Sequence, residues 1–375
     1  MPRIGLLGSY GGLNVGDEAI LTSIVTSLRE AWPFAEIVVF SRDAGHTRLN
    51  YPVDRVVDAR EGRRAVVAEE IGQLDLLVLG GGGLLYDTEA RVYLREVRLA
   101  QEAGIPTVAY AIGAGPLTLP EDRAAVREVV SRMTLVTVRD EESKRVLEDV
   151  GIGVPIEVVA DPALLLTPEP FPADTLLREG VAPGSRLIGM SVREAGRAAP
   201  NLDVEAYHAL LAAVADFMIH RYSAQIVFVP MERGDVQHSH AVLAHMVAAD
   251  RARVLNGCYG PRQVLGLMEH LDFVVGMRLH LLIFAGIAGV PFLPLPYAGK
   301  VFDFARVAGV PALQGVTREC IGPLLATLDR LWDERRGQGE QLRARVARLK
   351  PRARSTLDLA LGLLSEPEVR RIVAG

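Results

Sequence analysis

Ile4-Gly5-Leu6-Leu7-Gly8-Ser9-Tyr10-Gly11-Gly12-Leu13-Asn14-Val15-Gly16-Asp17-Glu18 opens the chain with a short apolar run, a glycine-rich turn and the start of a helical pattern. Ile20, Ile24 and Leu28 then recur at a spacing of four and share one helix face. A buried strand, a tight loop and a covering helix form the repeating unit of a parallel α/β sheet. Working outward, the unit recurs. Nearly continuous apolar runs predict strands at 4–7, 37–40, 76–79, 107–111, 135–138 and 156–159. The segment 167–172, Thr-Pro-Glu-Pro-Phe-Pro, breaks the pattern and predicts a linker. Strands are expected again at 187–192, 225–229, 253–255, 273–275 and 291–295. The expectation is an α/β protein of two Rossmann-like domains, 1–168 and 173–334, facing across a cleft and followed by a basic helical tail, 335–375.

Composition narrows the function. A chain of 375 residues has room for two cores, and 41 basic against 46 acidic residues makes a nucleic-acid binder unexpected. Two cysteines, Cys258 and Cys320, make no metal or disulfide framework. No apolar run approaches the roughly 20 residues of a membrane span, and no secretory leader precedes the first strand, so a cytoplasmic protein is expected. Between Arg335 and Arg354 stand eight basic residues and one acid, Glu340. That run predicts either a solvated helix face or a patch for peripheral contact with anionic lipid at the inner membrane face.

The chemistry-bearing residues fall where strands end, which is where open α/β sheets bind ligands. Only three lysines occur, Lys144, Lys300 and Lys350. Lys300 follows one strand, while Arg278 and His280 in Gly276-Met277-Arg278-Leu279-His280 follow the strand before it. With a helix over 279–288 between them, both loops open on one rim of the sheet, and the trio suits a small anion carrying both carboxylate and phosphate. His280 is the candidate general acid or base; the plainer alternative is a helix-start histidine satisfied by a carbonyl. The first glycine loop has neither dinucleotide-fingerprint nor P-loop spacing. Asp17 and Glu18 there would repel a diphosphate and suit a polyhydroxylated ligand; the plainer alternative is helix capping by Asp17, with Glu18 favoured by the dipole. Gly80-Gly81-Gly82-Gly83 and Gly113-Ala114-Gly115 are further glycine loops, open to a ligand or to close packing. Arg139 ends another strand and either faces the cleft or pairs with an acid. His238, His240 and His245 are expected on a helix surface, and no metal site is expected.

Seven segments in order resemble the polysaccharide pyruvyl transferases, including the cell-surface-anchoring type. They are residues 11–18, 80–85, 113–117, 138–143, 160–164, 276–280 and Tyr297 to Lys300. The resemblance, spanning roughly 4–310, implies a fold like that of the two-domain glycosyltransferases known as GT-B. It implies transfer of the enolpyruvyl group of phosphoenolpyruvate to a sugar, giving a cyclic ketal and phosphate, with no cofactor. In the cell-surface-anchoring branch the acceptor is a lipid-linked, ManNAc-containing cell-wall glycan. Carried over by motif, Arg139, Arg278 and Lys300 bind phosphoenolpyruvate, and His280 is catalytic with Asp17 and Glu18. Gly11, Gly12, Asn14, Gly81 and Gly82 form the acceptor side. Two rival expectations are a nucleotide-sugar glycosyltransferase on the same fold and a non-catalytic protein that binds a glycan or a lipid diphosphate.

Overall fold

The computed structural model of the chain describes residues 1–195, 202–295, 298–313, 317 and 321–365. Tyr297, Cys320 and the end of the basic tail, 366–375, lie outside them. The chain divides into two compact units: Met1–Leu166 with Leu349–Gly375, and Thr167–Arg348.

The first unit alternates β1 (Arg3–Leu7), α1 (Val15–Ala31), β2 (Glu36–Ser41), α2 (Ala44–Asn50), β3 (Arg55–Asp58) and α3 (Arg64–Ile71). It continues with β4 (Leu76–Leu85), α4 (Ala90–Glu102), β5 (Thr107–Ala114), α5 (Pro120–Val130), β6 (Leu135–Val138), α6 (Glu141–Val150) and β7 (Ile156–Val158). All neighbouring strands run parallel, in the order β3-β2-β1-β4-β5-β6-β7. The direction of strand addition reverses between β1 and β4, so this sheet has its switch point there.

The second unit holds α7 (Ala173–Arg178), β8 (Arg186–Ser191), α8 (Val204–Tyr222), β9 (Ala224–Phe228), α9 (Arg233–His245) and β10 (Ala252–Val254). Next come α10 (Pro261–Leu267), β11 (Phe273–Gly276), α11 (Leu279–Ala288), β12 (Phe292–Pro294), α12 (Gly299–Ala308) and α13 (Ile321–Ala347). Its parallel order, β10-β9-β8-β11-β12, repeats the pattern, with the switch point between β8 and β11. The final helix, α14 (Lys350–Ser365), belongs to the first unit.

Several expectations need correction. The four glycines 80–83 form no loop after a strand: β4 runs through them, pairing Gly80 with Tyr110 and Gly82 with Ile112. Strand β5 likewise extends into the third glycine segment. In β5, Ala111 holds a left-handed φ of 49° at a register shift, and Thr137 Oγ1 secures it by accepting from Ala111 N at 2.7 Å and donating to Ala109 O. Strand β3 escapes the sequence pattern because it is a short edge strand with a half-wet side-chain row. The proline-rich 167–172 segment is no free tether. Phe171 is buried, Glu169 N donates to Arg262 O, and Gly266 in α10 leaves room for the Glu169 carbonyl.

The basic tail is not a separate appendage either. Leu324, Leu328, Leu331 and Trp332 of α13 join the core of the second unit. Arg335 lies 4.0 Å over the Trp332 ring. Arg343 and Arg345 donate to the last carbonyls of α11 and α12, at Ala288 and at Ala308 and Gly309. Guanidinium groups there satisfy orphan carbonyls and meet the negative ends of two helix dipoles. In the first unit, Arg352 of α14 donates to Val158 O and Arg354 pairs with Glu30 at 3.5 Å. These contacts hold the tail to the two units, while Arg336, Arg343, Arg345, Arg348, Lys350, Arg352 and Arg354 stay exposed. Ala353, Leu357 and Ala360 bury the inner face of α14. Leu357→Ala is therefore expected to destabilise the first unit by about 2–5 kcal/mol, read as a lower urea midpoint; an appended tail would leave the midpoint unchanged.

Candidate functional sites, one in each unit

In the second unit the switch point is built around Ser191, the last residue of β8. Its Oγ accepts from the N–H groups of Met277 (3.0 Å) and Arg278 (3.1 Å), fixing the turn between β11 and α11. Arg278 is the N-cap residue of α11 and His280 stands in the helix's first turn, half-buried. Strand β12 pairs with β11, so α12 starts on the same sheet edge, and Lys300 stands half-buried in its first turn. Two helix N-termini, an imidazole and an ammonium group thus share one edge, an arrangement favourable to an anion.

Arg278 plays a different part from the one its sequence position suggests. It is 8% exposed, and its guanidinium donates to both oxygens of Asp235 (3.0 and 3.2 Å from Nε) and to Glu232. Asp235 also accepts from Met231 N at 3.0 Å. A guanidinium so matched by carboxylates positions the α11 turn; an incoming phosphate would have to compete with two anions. Arg139, at the end of β6 in the first unit, is similar. It donates to Asp161 at 2.9 Å, lies 3.6 Å from Asp140, and packs flat against Gly113, where a Cβ would stand 2.8 Å from its Nη2.

The first-unit switch point is held by a carboxylate. Glu18 is buried, with one oxygen accepting from Gly11 N at 2.8 Å and the other from the Tyr51 hydroxyl. Burial pushes its carboxyl above the usual range, opposed by those two hydrogen bonds. Glu18 thus ties the loop after β1 to α1. The cap of α1 is Asn14, not Asp17: its side chain accepts from Gly16 N at 3.0 Å and Asp17 N at 3.4 Å. Asp17 is half-buried beside Gly82, where a Cβ would stand 2.9 Å from Oδ1.

The glycines expected to line an acceptor site serve packing. Gly11, at φ 73°, fits against Ser41 and Asp43 of the next loop. A Cβ on Gly81 would stand 2.5 Å from Ile20 of α1, and Gly80 makes room for the Tyr10 hydroxyl. Gly12 remains on the exposed rim under Arg42. Sequence reasoning also missed the His208–His238 pair, which joins α8 to α9 with ring nitrogens 3.0 Å apart. His238 sits one turn after Asp235, so it is half-buried rather than on an open face, whereas His240 and His245 are exposed. Burial lowers both paired histidines, His208 also feeling His238 and His245. The only advance signal was His238's three-residue offset from an acid. Among the described residues no three His, Cys, Asp or Glu side chains converge as a metal site, and no helix is long and apolar enough to cross a membrane.

A sequence model of the polysaccharide pyruvyl transferase family matches residues 14–299. No curated protein sequence matches the chain. Among solved structures, S. aureus MnaA in its UDP co-structure is similar at a TM-score of 0.65 and 11% identity, over 96% of this chain and 98% of that one. The UDP-GlcNAc 2-epimerase from Neisseria meningitidis bound to UDP-GlcNAc follows at 0.64 and 12%, over 98% and 100%. That of Rickettsia bellii stands at 0.61 and 14%, over 96% of each chain. At these identities the likeness is one of fold, two Rossmann-like units of the GT-B kind.

Two titrations follow from the geometry. A carboxyl raised by burial stabilises the fold below its ordinary value and loses that contribution as pH rises through the folded value. Glu18→Gln keeps an acceptor for Gly11 N, so its melting temperature relative to wild type should climb from pH 4 to pH 8, by about a few degrees. The two histidines are lowered, so their contribution holds above the ordinary value near 6.5 and fades as pH falls below it. His238→Gln, which still hydrogen-bonds but does not titrate, should flatten the acid side of the melting curve against pH. An unchanged acid slope would remove the pair from the account.

Proposed function

The chain belongs to the polysaccharide pyruvyl transferase family, and we propose that it transfers the enolpyruvyl group of phosphoenolpyruvate to a sugar of a cell-wall or exopolysaccharide glycan. The observation that carries this reading is the shared edge of the second unit, where His280 and Lys300 stand at the first turns of α11 and α12. Phosphoenolpyruvate brings a carboxylate and a phosphate to that edge. Lys300 and the helix N–H groups bind the phosphate, while Arg278, held by Asp235 and Glu232, sets the position of α11. Arg139, in the first unit, is held between Asp140 and Asp161.

The reaction proceeds by protonation of C3, with His280 as acid, which turns the methylene into a methyl and leaves C2 electrophilic. A sugar hydroxyl adds at C2 and gives up its proton. The bond from C2 to the phosphate oxygen breaks, and a second hydroxyl closes the ketal. Two hydroxyl protons go in and appear in the methyl group and in hydrogen phosphate, so the step balances without an oxidant. In the cell-surface-anchoring branch the acceptor would be a lipid-linked, ManNAc-containing saccharide.

With phosphoenolpyruvate and a short β-ManNAc-containing acceptor, the protein should release phosphate and add a ketal mass to the sugar. No turnover over a panel of acceptors, with turnover of a nucleotide sugar instead, would establish the glycosyltransferase alternative. Lys300→Ala should weaken phosphoenolpyruvate binding at least tenfold, about 1.4 kcal/mol, in a calorimetric titration. An affinity within about twofold, ~0.4 kcal/mol, would take Lys300 out of the anion pocket.

A further inference from the structure

Of the residues that the sequence assigns to the acceptor side, Gly11 and Gly81 are close-packed, Asn14 caps α1 and Glu18 is held by Gly11 and Tyr51, while Gly12 stays on the exposed rim. What the first-unit switch point presents instead comes from three adjacent strands. Arg42 is the first residue past β2, Asp17 lies in the first turn after the β1 loop, and Tyr86 is the first residue past β4. Strand order β2-β1-β4 puts these three on one edge, around the switch point. Burial chiefly raises the Tyr86 hydroxyl, Glu89, Tyr93 and Asp17 add to it in that order, and Arg42 opposes them. A Cβ on Gly12 would stand 3.4 Å from Arg42 Nη1, so the guanidinium lies over the first-strand loop.

Each side chain is presented from a fixed backbone. Arg42 N donates to Tyr10 O at 2.9 Å, and its neighbour Ser41 is hydrogen-bonded to Asp43 O and Thr47. After Tyr86, Asp87 N donates to Pro116 O, and the Asp87 carboxylate accepts from Thr118 and Leu119. Arg42 is exposed and makes no ion pair among the described residues, in a chain whose strand-end arginines Arg139 and Arg278 are matched by carboxylates. Tyr86 is 38% exposed, and Leu13, 43% exposed, holds a left-handed φ of 58° in the same loop cluster. A leucine kept outward in that conformation marks a strained rim.

We propose that Arg42, Asp17 and Tyr86 form the saccharide subsite, with the acceptor ring lying against the Tyr86 face and neighbouring hydroxyls bridged between the Asp17 carboxylate and the Arg42 guanidinium. The chemistry fits a neutral pyranose better than a second anion: an aromatic face covers axial C–H groups, a carboxylate accepts from hydroxyls, and a guanidinium donates to their oxygens. Asp17 opposes a phosphate at the same spot. This assignment rests on the pyruvyl-transfer reading for the identity of the donor, though not for the presence of the sugar.

The test uses the full chain with saturating phosphoenolpyruvate and varied acceptor, following phosphate release. Tyr86→Ala and Arg42→Ala should each raise the acceptor KM at least tenfold and leave the phosphoenolpyruvate KM within about twofold; Tyr86→Phe, which keeps the ring, should stay within about threefold of wild type. Thermal melting confirms that each variant is folded. If wild type turns over and both alanine variants keep their acceptor KM within twofold, the subsite is overturned. If wild type turns over no acceptor, the pyruvyl-transfer reading fails first, and saturation-transfer NMR with methyl glycosides decides the subsite by itself. Saturation reaching the sugar protons in wild type and lost in Tyr86→Ala supports it; no saturation in wild type overturns it.

Discussion

A parallel sheet ends in a row of turns whose N–H groups have no ladder partner, and each must find one or face water. At both switch points a side chain supplies it. Glu18 reaches back to Gly11 N in the first unit, and Ser191 accepts from Met277 N and Arg278 N in the second. These contacts decide where the loops after β1 and β11 lie, and hence where Asp17, Arg278 and His280 stand. Each unit's own sheet edge depends on its tie, because the edge offers its side chains only once the turns are fixed.

Charge follows the same logic. A guanidinium taken into a sheet end cannot stay unpaired, since uncompensated burial costs several kcal/mol (about 3–5 when one partner of a buried pair is lost). Arg139 is matched by Asp161, and Arg278 by Asp235 and Glu232. Arg343 and Arg345 meet helix C-termini instead. These four arginines brace sheet ends and helix ends. Arg42, exposed and without an ion pair among the described residues, stands apart from those four.

Much of the fold was legible because buried parallel strands write themselves as apolar runs, and β1, β2, β6 and β11 fall where those runs are. Edge strand β3 was not, since Arg55-Val56-Val57-Asp58 has neither the length nor the apolarity of a buried strand. The glycines misled for a physical reason. A glycine that admits a ligand and one that admits Ile20 or the Tyr10 ring are identical in sequence, and only the neighbour across the gap tells them apart. His238 was hidden likewise, because its partner His208 lies 30 positions away on another helix.

The sequence alone determined the repeating strand–loop–helix unit, the restart after the 167–172 segment, and the placement of Arg278, His280 and Lys300 at strand ends, because each depends on local periodicity and on order along the chain. Tertiary structure decided which of those charges are already answered. It split the basic tail between the two units, gave Glu18 a part as a loop tie, and set Arg42, Asp17 and Tyr86 at one edge of the first sheet. Those outcomes depend on strand order in the sheet, which places residues far apart in sequence at neighbouring termini and which no local pattern records.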